Sequence, residues 1–110
     1  MQELEQALAF AEYQTTLNNQ RTLIRQRFQD DQLLAYNGGL FKITLEFIGG
    51  LQALGDTWWA IDVNGNPISI TNPEEFIIKA RETWDRAVNT YGEAYAELRK
   101  QRSVKALTNL

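Results

Sequence analysis

Residues 73–100 read PEEFIIKARETWDRAVNTYGEAYAELRK, and this stretch decides the fold of the chain. Bulky residues recur in it every seven positions, and alanines recur at the same interval, three places later. The combined series is Ile77, Ala80, Trp84, Ala87, Tyr91, Ala94 and Leu98. A bulky residue at each a position with alanine at each d position is typical of a coiled-coil seam. We therefore predict a long helix over residues 72–102, whose seam packs closely on another helix.

A second long helix is predicted over residues 2–35, because this segment lacks glycine and proline and is rich in good helix formers. Its seven-residue series are Phe10, Leu17 and Ile24, and beside them Ala7, Gln14, Arg21 and Phe28. Acidic residues begin this helix and basic residues end the other, so antiparallel packing would bring opposite charges together. These residues are Glu3, Glu5, Arg99, Lys100, Arg102 and Lys105. The sequence leaves open whether the helices pair within one chain or between chains.

A short helix and a strand are predicted after the first long helix. Asn37-Gly38-Gly39 is interpreted as the end of that helix, and residues 40–43 alternate as a short strand does. Thr44 can cap a short helix over residues 45–54. Gly49-Gly50 would weaken that helix, so a continued strand with a bulge at the glycines is the alternative.

A β-hairpin is predicted next, with strands over residues 57–63 and 67–70 joined at Asn64-Gly65, the strongest short hairpin signal. The β element, residues 36–71, then holds three strands. The predicted fold class is α+β, with two long helices in an antiparallel, coiled-coil-like hairpin and the β element with its short helix between them. For 110 residues we expect a single domain, residues 1–110, ending in a tail. The tail comprises residues 103–110.

The composition argues against several functional classes. The chain has no cysteine and no histidine, which removes the most reactive nucleophile, the commonest general base and the commonest metal ligand. We therefore expect no enzymatic activity, no catalytic residues, no metal and no cofactor. The first residues, MQELEQALAF, lack the basic start of a signal peptide, and no apolar run is long enough to span a membrane. A cytoplasmic protein without a membrane partner is expected.

Two acidic patterns have structural explanations. Asp62-Val63-Asn64-Gly65-Asn66 resembles the start of a calcium-binding loop, but Pro67 stands where that loop requires glycine and Pro73 where it requires glutamate. The hairpin turn explains the same residues without a metal. The adjacent pairs Asp30-Asp31 and Glu74-Glu75 do not converge on one helix face, so they do not form a catalytic pair.

Arg21, Arg25 and Arg27 form a basic patch on the first helix. The net charge of −3 does not favour a nucleic-acid partner. The patch also lacks the interleaved aromatic residues that single-strand binders use. We interpret it as a solvated, salt-bridged surface and expect no nucleic-acid binding.

Trp58-Trp59 is the candidate partner-binding site. Adjacent residues on a strand point to opposite faces of the sheet, and a chain of this size can bury one face of a small sheet better than two. One tryptophan is therefore expected to be exposed or covered by a partner, since tryptophan is enriched at interface hot spots. The alternative is that a long helix covers each face.

Two runs resemble a pattern found in small uncharacterised proteins of T4-like tailed phages of marine bacteria. They are NGGLFKIT at residues 37–44 and DVNGNPI at residues 62–68, and the similarity extends over residues 36–102. The resemblance implies a phage-encoded protein located in the host bacterial cytoplasm or in the virion. It implies no catalytic residues.

These features favour a non-catalytic structural or assembly subunit that works through protein–protein contacts and forms a dimer or larger homo-oligomer. Its interaction surfaces would be the helical seam and Trp58-Trp59. Apolar residues off the seam add surface that one partner cannot cover, namely Phe10, Leu23, Phe76, Val88 and Tyr95. The alternative is a host-directed regulatory or inhibitory protein that binds a single host partner. A carboxylate-based enzyme is less favoured, because histidine and cysteine are absent.

Overall fold

The protein is α+β, and its described residues form three helices and two small antiparallel sheets of two strands each. The computed structural model describes residues 2–55 and 58–108, with side chains described as far as Gln101. In chain order the elements are α1 (Gln2–Asp31), β1 (Leu33–Tyr36), β2 (Gly39–Lys42), α2 (Leu45–Gln52), β3 (Trp58–Ile61), β4 (Pro67–Ile70) and α3 (Pro73–Thr108).

The predicted first helix over residues 2–35 is wrong at its C-terminal end, because α1 stops at Asp31 and a strand follows. Asn37 and Gly38 both have positive φ, 48° and 82°. They form the two-residue turn of a hairpin in which Tyr36 pairs with Gly39. Two successive residues at positive φ match the twist of paired strands, so this Asn-Gly joins β1 to β2 and does not cap a helix.

The predicted three-strand element is also wrong, since four strands form two separate hairpins. In the second hairpin Trp58 pairs with Ile70, and Gly65 in the turn has φ of 79°. The hairpins touch closely, because a Cβ atom built on Gly39 would lie 2.5 Å from Ile68 Cγ1. A glycine is needed there to let the two hairpins approach.

The predicted helix starts are confirmed. Thr44 caps α2 by accepting a hydrogen bond from the Phe47 N–H at 3.0 Å. Asn72 accepts one from the Glu75 N–H at 3.2 Å at the start of α3. The predicted short helix is therefore correct and the continued strand is not. Gly49 and Gly50 lie within α2, which ends at Gln52.

The predicted end of the last helix at residue 102 is too early, because the backbone of α3 continues to Thr108. Of the segment predicted as a tail, residues 103–108 continue the helix. The side chains of Arg102 and Lys105 lie outside the described residues, as do Thr57 and Leu110 altogether.

The core is aromatic and centres on Phe76 in the first turn of α3. Phe76 is fully buried, and four other aromatic rings surround it. The distances from the Phe76 ring centroid to theirs are 4.7 Å for Tyr36, 5.0 Å for Phe41, 5.8 Å for Trp58 and 6.1 Å for Phe47. The prediction that Phe76 adds uncovered apolar surface is therefore wrong, because both hairpins and α2 cover it.

Helices α1 and α3 contact each other through aromatic side chains near the C-terminal end of α1 and in the central part of α3. The Phe28 ring lies 6.0 Å from Trp84 and 4.6 Å from Tyr91. Nearer the start of α1, Leu17 lines the same cavity as Leu98. The pairing of the two helices as an antiparallel coiled coil stays a prediction.

The molecule is long and thin, with principal extents of 70 × 24 × 19 Å and a radius of gyration of 20.6 Å. A compact domain of this length would have a radius of gyration of about 13 Å. All described side chains from Gln2 to Glu12 are exposed. Phe10 precedes the buried Leu17 by one seven-residue repeat and is nevertheless 63% exposed.

Leucine in place of Ala87 tests how closely α3 is covered. Ala87 is 1% exposed, so Ala87→Leu should overpack the site and lower the free energy of unfolding by roughly 1–3 kcal/mol. Chemical denaturation measures this change. Ala96→Leu is the control, because Ala96 lies exposed on the same helix. Equal stability of the two variants would show that nothing packs on Ala87.

Candidate interaction surfaces

The two predicted site residues Trp58 and Trp59 lie on opposite faces of the second hairpin. Trp58 points inward onto Phe76 and is 7% exposed, whereas Trp59 is 67% exposed. The structure thus separates the pair into a core residue and a surface residue. A covering helix over both faces, the alternative considered from the sequence, is wrong for the face of Trp59.

Trp59 belongs to an apolar surface that the sequence argument did not assemble. Ile61, two residues further along β3, is 71% exposed, and Val63 beyond the strand end is half exposed. On β4, Ser69 pairs with Trp59 and Pro67 pairs with Ile61. We call the three apolar residues Trp59, Ile61 and Val63 the Trp59 face. Alternation along the strand could have found its first two members, because residues 59 and 61 share one face of β3.

A buried carboxylate fixes the turn beside the Trp59 face. Asp62 Oδ1 accepts hydrogen bonds from the N–H groups of Asn64 and Asn66, at 3.0 and 2.9 Å. Asp62 Oδ2 accepts one from the Leu40 N–H at 3.2 Å. The Leu40 carbonyl in turn accepts from the Val63 N–H at 2.8 Å. Asp62 therefore links the second hairpin to β2, and both of its carboxylate oxygens accept backbone hydrogen bonds.

These hydrogen bonds lower the pKa of Asp62 below its ordinary value of 3.8. The Asn66 N–H has the largest effect, burial opposes it, and the N–H groups of Leu40 and Asn64 add to the lowering. A lowered pKa in the folded state means that the ionised form stabilises the fold. This contribution is complete above the ordinary pKa and is lost as the pH falls through the lower, folded-state pKa.

We expect Asp62→Asn to lower the melting temperature at pH 7 by roughly 5–10 °C. The side-chain amide of asparagine has one oxygen, so its NH₂ group must face one of the three backbone N–H groups that the carboxylate accepts from. The difference from the unchanged protein should shrink as the pH is lowered below about 4. Melting curves across pH measure both effects. Asp85→Asn on exposed α3 is the control. A deficit for Asp62→Asn that stays constant down to acidic pH would contradict the role of the ionised carboxylate.

The structure places the seven predicted seam residues of α3 against two different elements. Ile77, Ala80 and Trp84 pack in or against the aromatic core of the β element. Further along, Tyr91 contacts Phe28 of α1. Ala94 and Leu98 line cavities together with residues of α1, and Ala87, between Trp84 and Tyr91, is buried. One periodic stripe thus serves both the β element and the other helix.

A shallow apolar groove runs along one side of the two long helices. Two neighbouring cavities, of about 230 and 330 Å³, share Leu23, Ile24 and Ala94 in their linings. We call the groove formed by them the helix-pair groove. Its further lining includes Phe28, Tyr91 and Leu98. Leu23 is 64% exposed on its rim, so the groove presents an apolar surface that this chain leaves partly uncovered.

A third cavity, of about 260 Å³, lies between the same helices and is lined by three arginines. Arg21 and Arg25 come from α1, and Arg99 comes from α3. Hydrogen bonds from the Arg25 guanidinium to the hydroxyls of Tyr95 and Tyr91 raise the pKa of Arg25 further above its ordinary value. Arg21 and Arg25 were predicted as part of a basic patch, and the fold adds Arg99 to them.

The predicted basic patch therefore divides into two parts. Arg27 forms an ion pair with Asp31 at 3.7 Å, as a solvated, salt-bridged surface requires. Arg21 and Arg25 have no carboxylate within 4.0 Å among the described residues. The interpretation as a salt-bridged surface is thus wrong for these two.

No group of three or more acidic, histidine or cysteine residues that could hold a metal occurs within residues 2–55 and 58–108. Over the same ranges, no helix is both long enough and apolar enough to cross a membrane. No family model, curated protein or solved structure matches the chain. The resemblance to phage proteins therefore stays a prediction.

Proposed function

We propose that this protein is a non-catalytic interaction subunit, structural or assembly in character, that binds a protein partner and associates with itself. The observation that carries the proposal is the division of Trp58 and Trp59 between core and surface. An exposed tryptophan flanked by Ile61 and Val63 is costly to leave in water, and aromatic side chains of this kind anchor interfaces. The Trp59 face is the proposed site for the partner.

Self-association is assigned to the long helices, which we propose pair as an antiparallel, coiled-coil-like hairpin within the chain. The helix-pair groove supports this role, because its exposed rim residue Leu23 lies beside half-buried Ile24 and Ala94. Exposed Leu4, Leu8 and Phe10 supply more apolar surface on α1. A helix of a second copy laid in the groove would remove Leu23, Ile24 and Ala94 from water.

The alternative function is a host-directed regulator that binds one host protein through the Trp59 face and stays monomeric. The closeness in sequence of the exposed residues Trp59, Ile61 and Val63 favours it, since a single partner could cover that area. From the resemblance to phage proteins we propose the host bacterial cytoplasm or the virion as the location. An assembly subunit and a host-directed regulator differ in whether the chain associates with itself.

Co-expression of tagged and untagged chains tests self-association, with the untagged chain recovered through the tag. Leu23→Glu places a charge on the rim of the groove and should reduce recovery at least about tenfold, because a buried unpaired charge is costly. Ile78→Glu is the matched control, since Ile78 is 54% exposed on α3 and does not line the groove. Equal recovery for both variants would rule out the groove as the surface of self-association.

A further inference from the structure

The three arginines of the third cavity differ from the other basic residues of the long helices. A helix neutralises a basic side chain most simply with an acidic residue three or four positions away. Up to residue 101, the basic residues of α1 and α3 that have such an acidic neighbour are Arg27, Lys79, Arg81, Arg86 and Lys100. Those that do not are Arg21, Arg25 and Arg99, and these three line the same cavity.

Nor does the fold supply a counter-charge from elsewhere in the described residues. The cavity lining contains no carboxylate, and none of the three guanidinium groups forms an ion pair there. The chain as a whole has 14 acidic and 11 basic side chains. A shortage of acidic residues therefore does not explain their absence beside this cavity.

The cavity brings three positively charged side chains together at the surface of the two long helices. Arg21 and Arg25 stand one helical turn apart on α1, and Arg99 approaches from α3. The remaining lining is Leu17, Leu98 and Tyr95, and the two leucines are buried. Arg21 is half-buried, whereas Arg25 and Arg99 are exposed, and the side chains of Tyr95 and Tyr91 interact favourably with the charged Arg25.

We propose that this arginine cluster binds a phosphate-type oxyanion, either inorganic phosphate or the phosphate group of a small organic monoester. Planar guanidinium groups bind phosphate oxygens in pairs. Three of them suit a dianion with several acceptor oxygens better than a single carboxylate. An extended nucleic acid fits less well, because the cluster is isolated and the chain carries a net charge of −3.

Calorimetric titration with inorganic phosphate and, separately, with phenyl phosphate tests the proposal at constant ionic strength. We expect binding to the unchanged protein and at least about tenfold weaker binding to Arg21→Gln and to Arg99→Gln. Arg86→Gln, which removes a charge with an acidic neighbour, should bind as the unchanged protein does. Tighter binding of phenyl phosphate would identify an organic monoester as the ligand, and equal binding would identify free phosphate.

The melting temperature separates binding from a structural role for the arginines. Without phosphate, Arg99→Gln should melt at the same or a higher temperature, because it removes repulsion among like charges. With phosphate, the unchanged protein should gain more stability than this variant does. Absence of phosphate binding, or equal binding by all variants, would overturn the proposal. Loss of self-association in Arg99→Gln without any phosphate effect would also overturn it, assigning the cluster to acidic residues of a second copy.

Discussion

Trp58→Ala should lower the free energy of unfolding by roughly 3–5 kcal/mol, whereas Trp59→Ala should change it by no more than about 0.5 kcal/mol. The reason is burial, since Trp58 packs 5.8 Å from Phe76 and Trp59 is 67% exposed. A loss of this size is a large part of the about 5–15 kcal/mol that stabilises a typical domain. Chemical denaturation of the two single variants measures the contrast.

The same variants separate stability from partner binding. Trp59→Ala should retain its circular dichroism spectrum and lose partner binding by about 2 kcal/mol or more, as truncated hot-spot aromatics do. Fluorescence quenching should detect an accessible indole in the unchanged protein, and this accessible indole should be missing from Trp59→Ala. Two variants equally disruptive to the fold, with no accessible indole, would contradict the division between core and surface.

Phe76→Ala should destabilise the protein by roughly 3–5 kcal/mol, as the loss of a fully buried aromatic ring does. Its ring contacts side chains from β1, β2, α2 and β3, so its removal opens a cavity where these four elements meet. Urea denaturation measures the loss. Phe10→Ala is the matched control, because Phe10 is 63% exposed and should tolerate the change.

A Phe76→Ala variant as stable as Phe10→Ala would show that the hairpins and α3 do not share one core. In that case the β element would be held mainly by Asp62 and its backbone partners. If Phe10→Ala were destabilised only at high protein concentration, Phe10 would instead be covered in an oligomer, because stability gained by association depends on concentration.

The sequence predicted the elements whose signals are local. Thr44 and Asn72 cap their helices as expected, because an N-cap needs only a side chain and an N–H three residues later. The periodic residues of α3 are likewise buried or half-buried. The division between core and surface at Trp58 and Trp59 followed from strand alternation, but alternation alone could not say which tryptophan faces inward.

The end of α1 was missed because its deciding contacts are distant in sequence. Gln32 stops the helix by exchanging hydrogen bonds with Ile43: its Nε2 donates to the Ile43 carbonyl at 2.9 Å, and its own carbonyl accepts from the Ile43 N–H at 2.8 Å. Residues 33–36 are Leu-Leu-Ala-Tyr, and the two leucines and the alanine favour helices. Pairing with β2 overrides that preference.

The arginine cluster was missed for a related reason. The absence of acidic neighbours around Arg21 and Arg25 can be read from the sequence, but their convergence with Arg99 depends on how α1 lies against α3. The same holds for the helix-pair groove, whose lining comes from positions about seventy residues apart on the two helices, such as Ile24 and Ala94.

Self-association is the central claim, and sedimentation equilibrium tests it most directly, because that method measures mass independently of the elongated shape. We expect a mass of at least twice the chain mass of 12.6 kDa at micromolar concentrations, falling toward 12.6 kDa in Leu23→Glu and unchanged in Ile78→Glu. A mass of 12.6 kDa for the unchanged protein at every concentration would contradict the account and favour the monomeric, host-directed alternative.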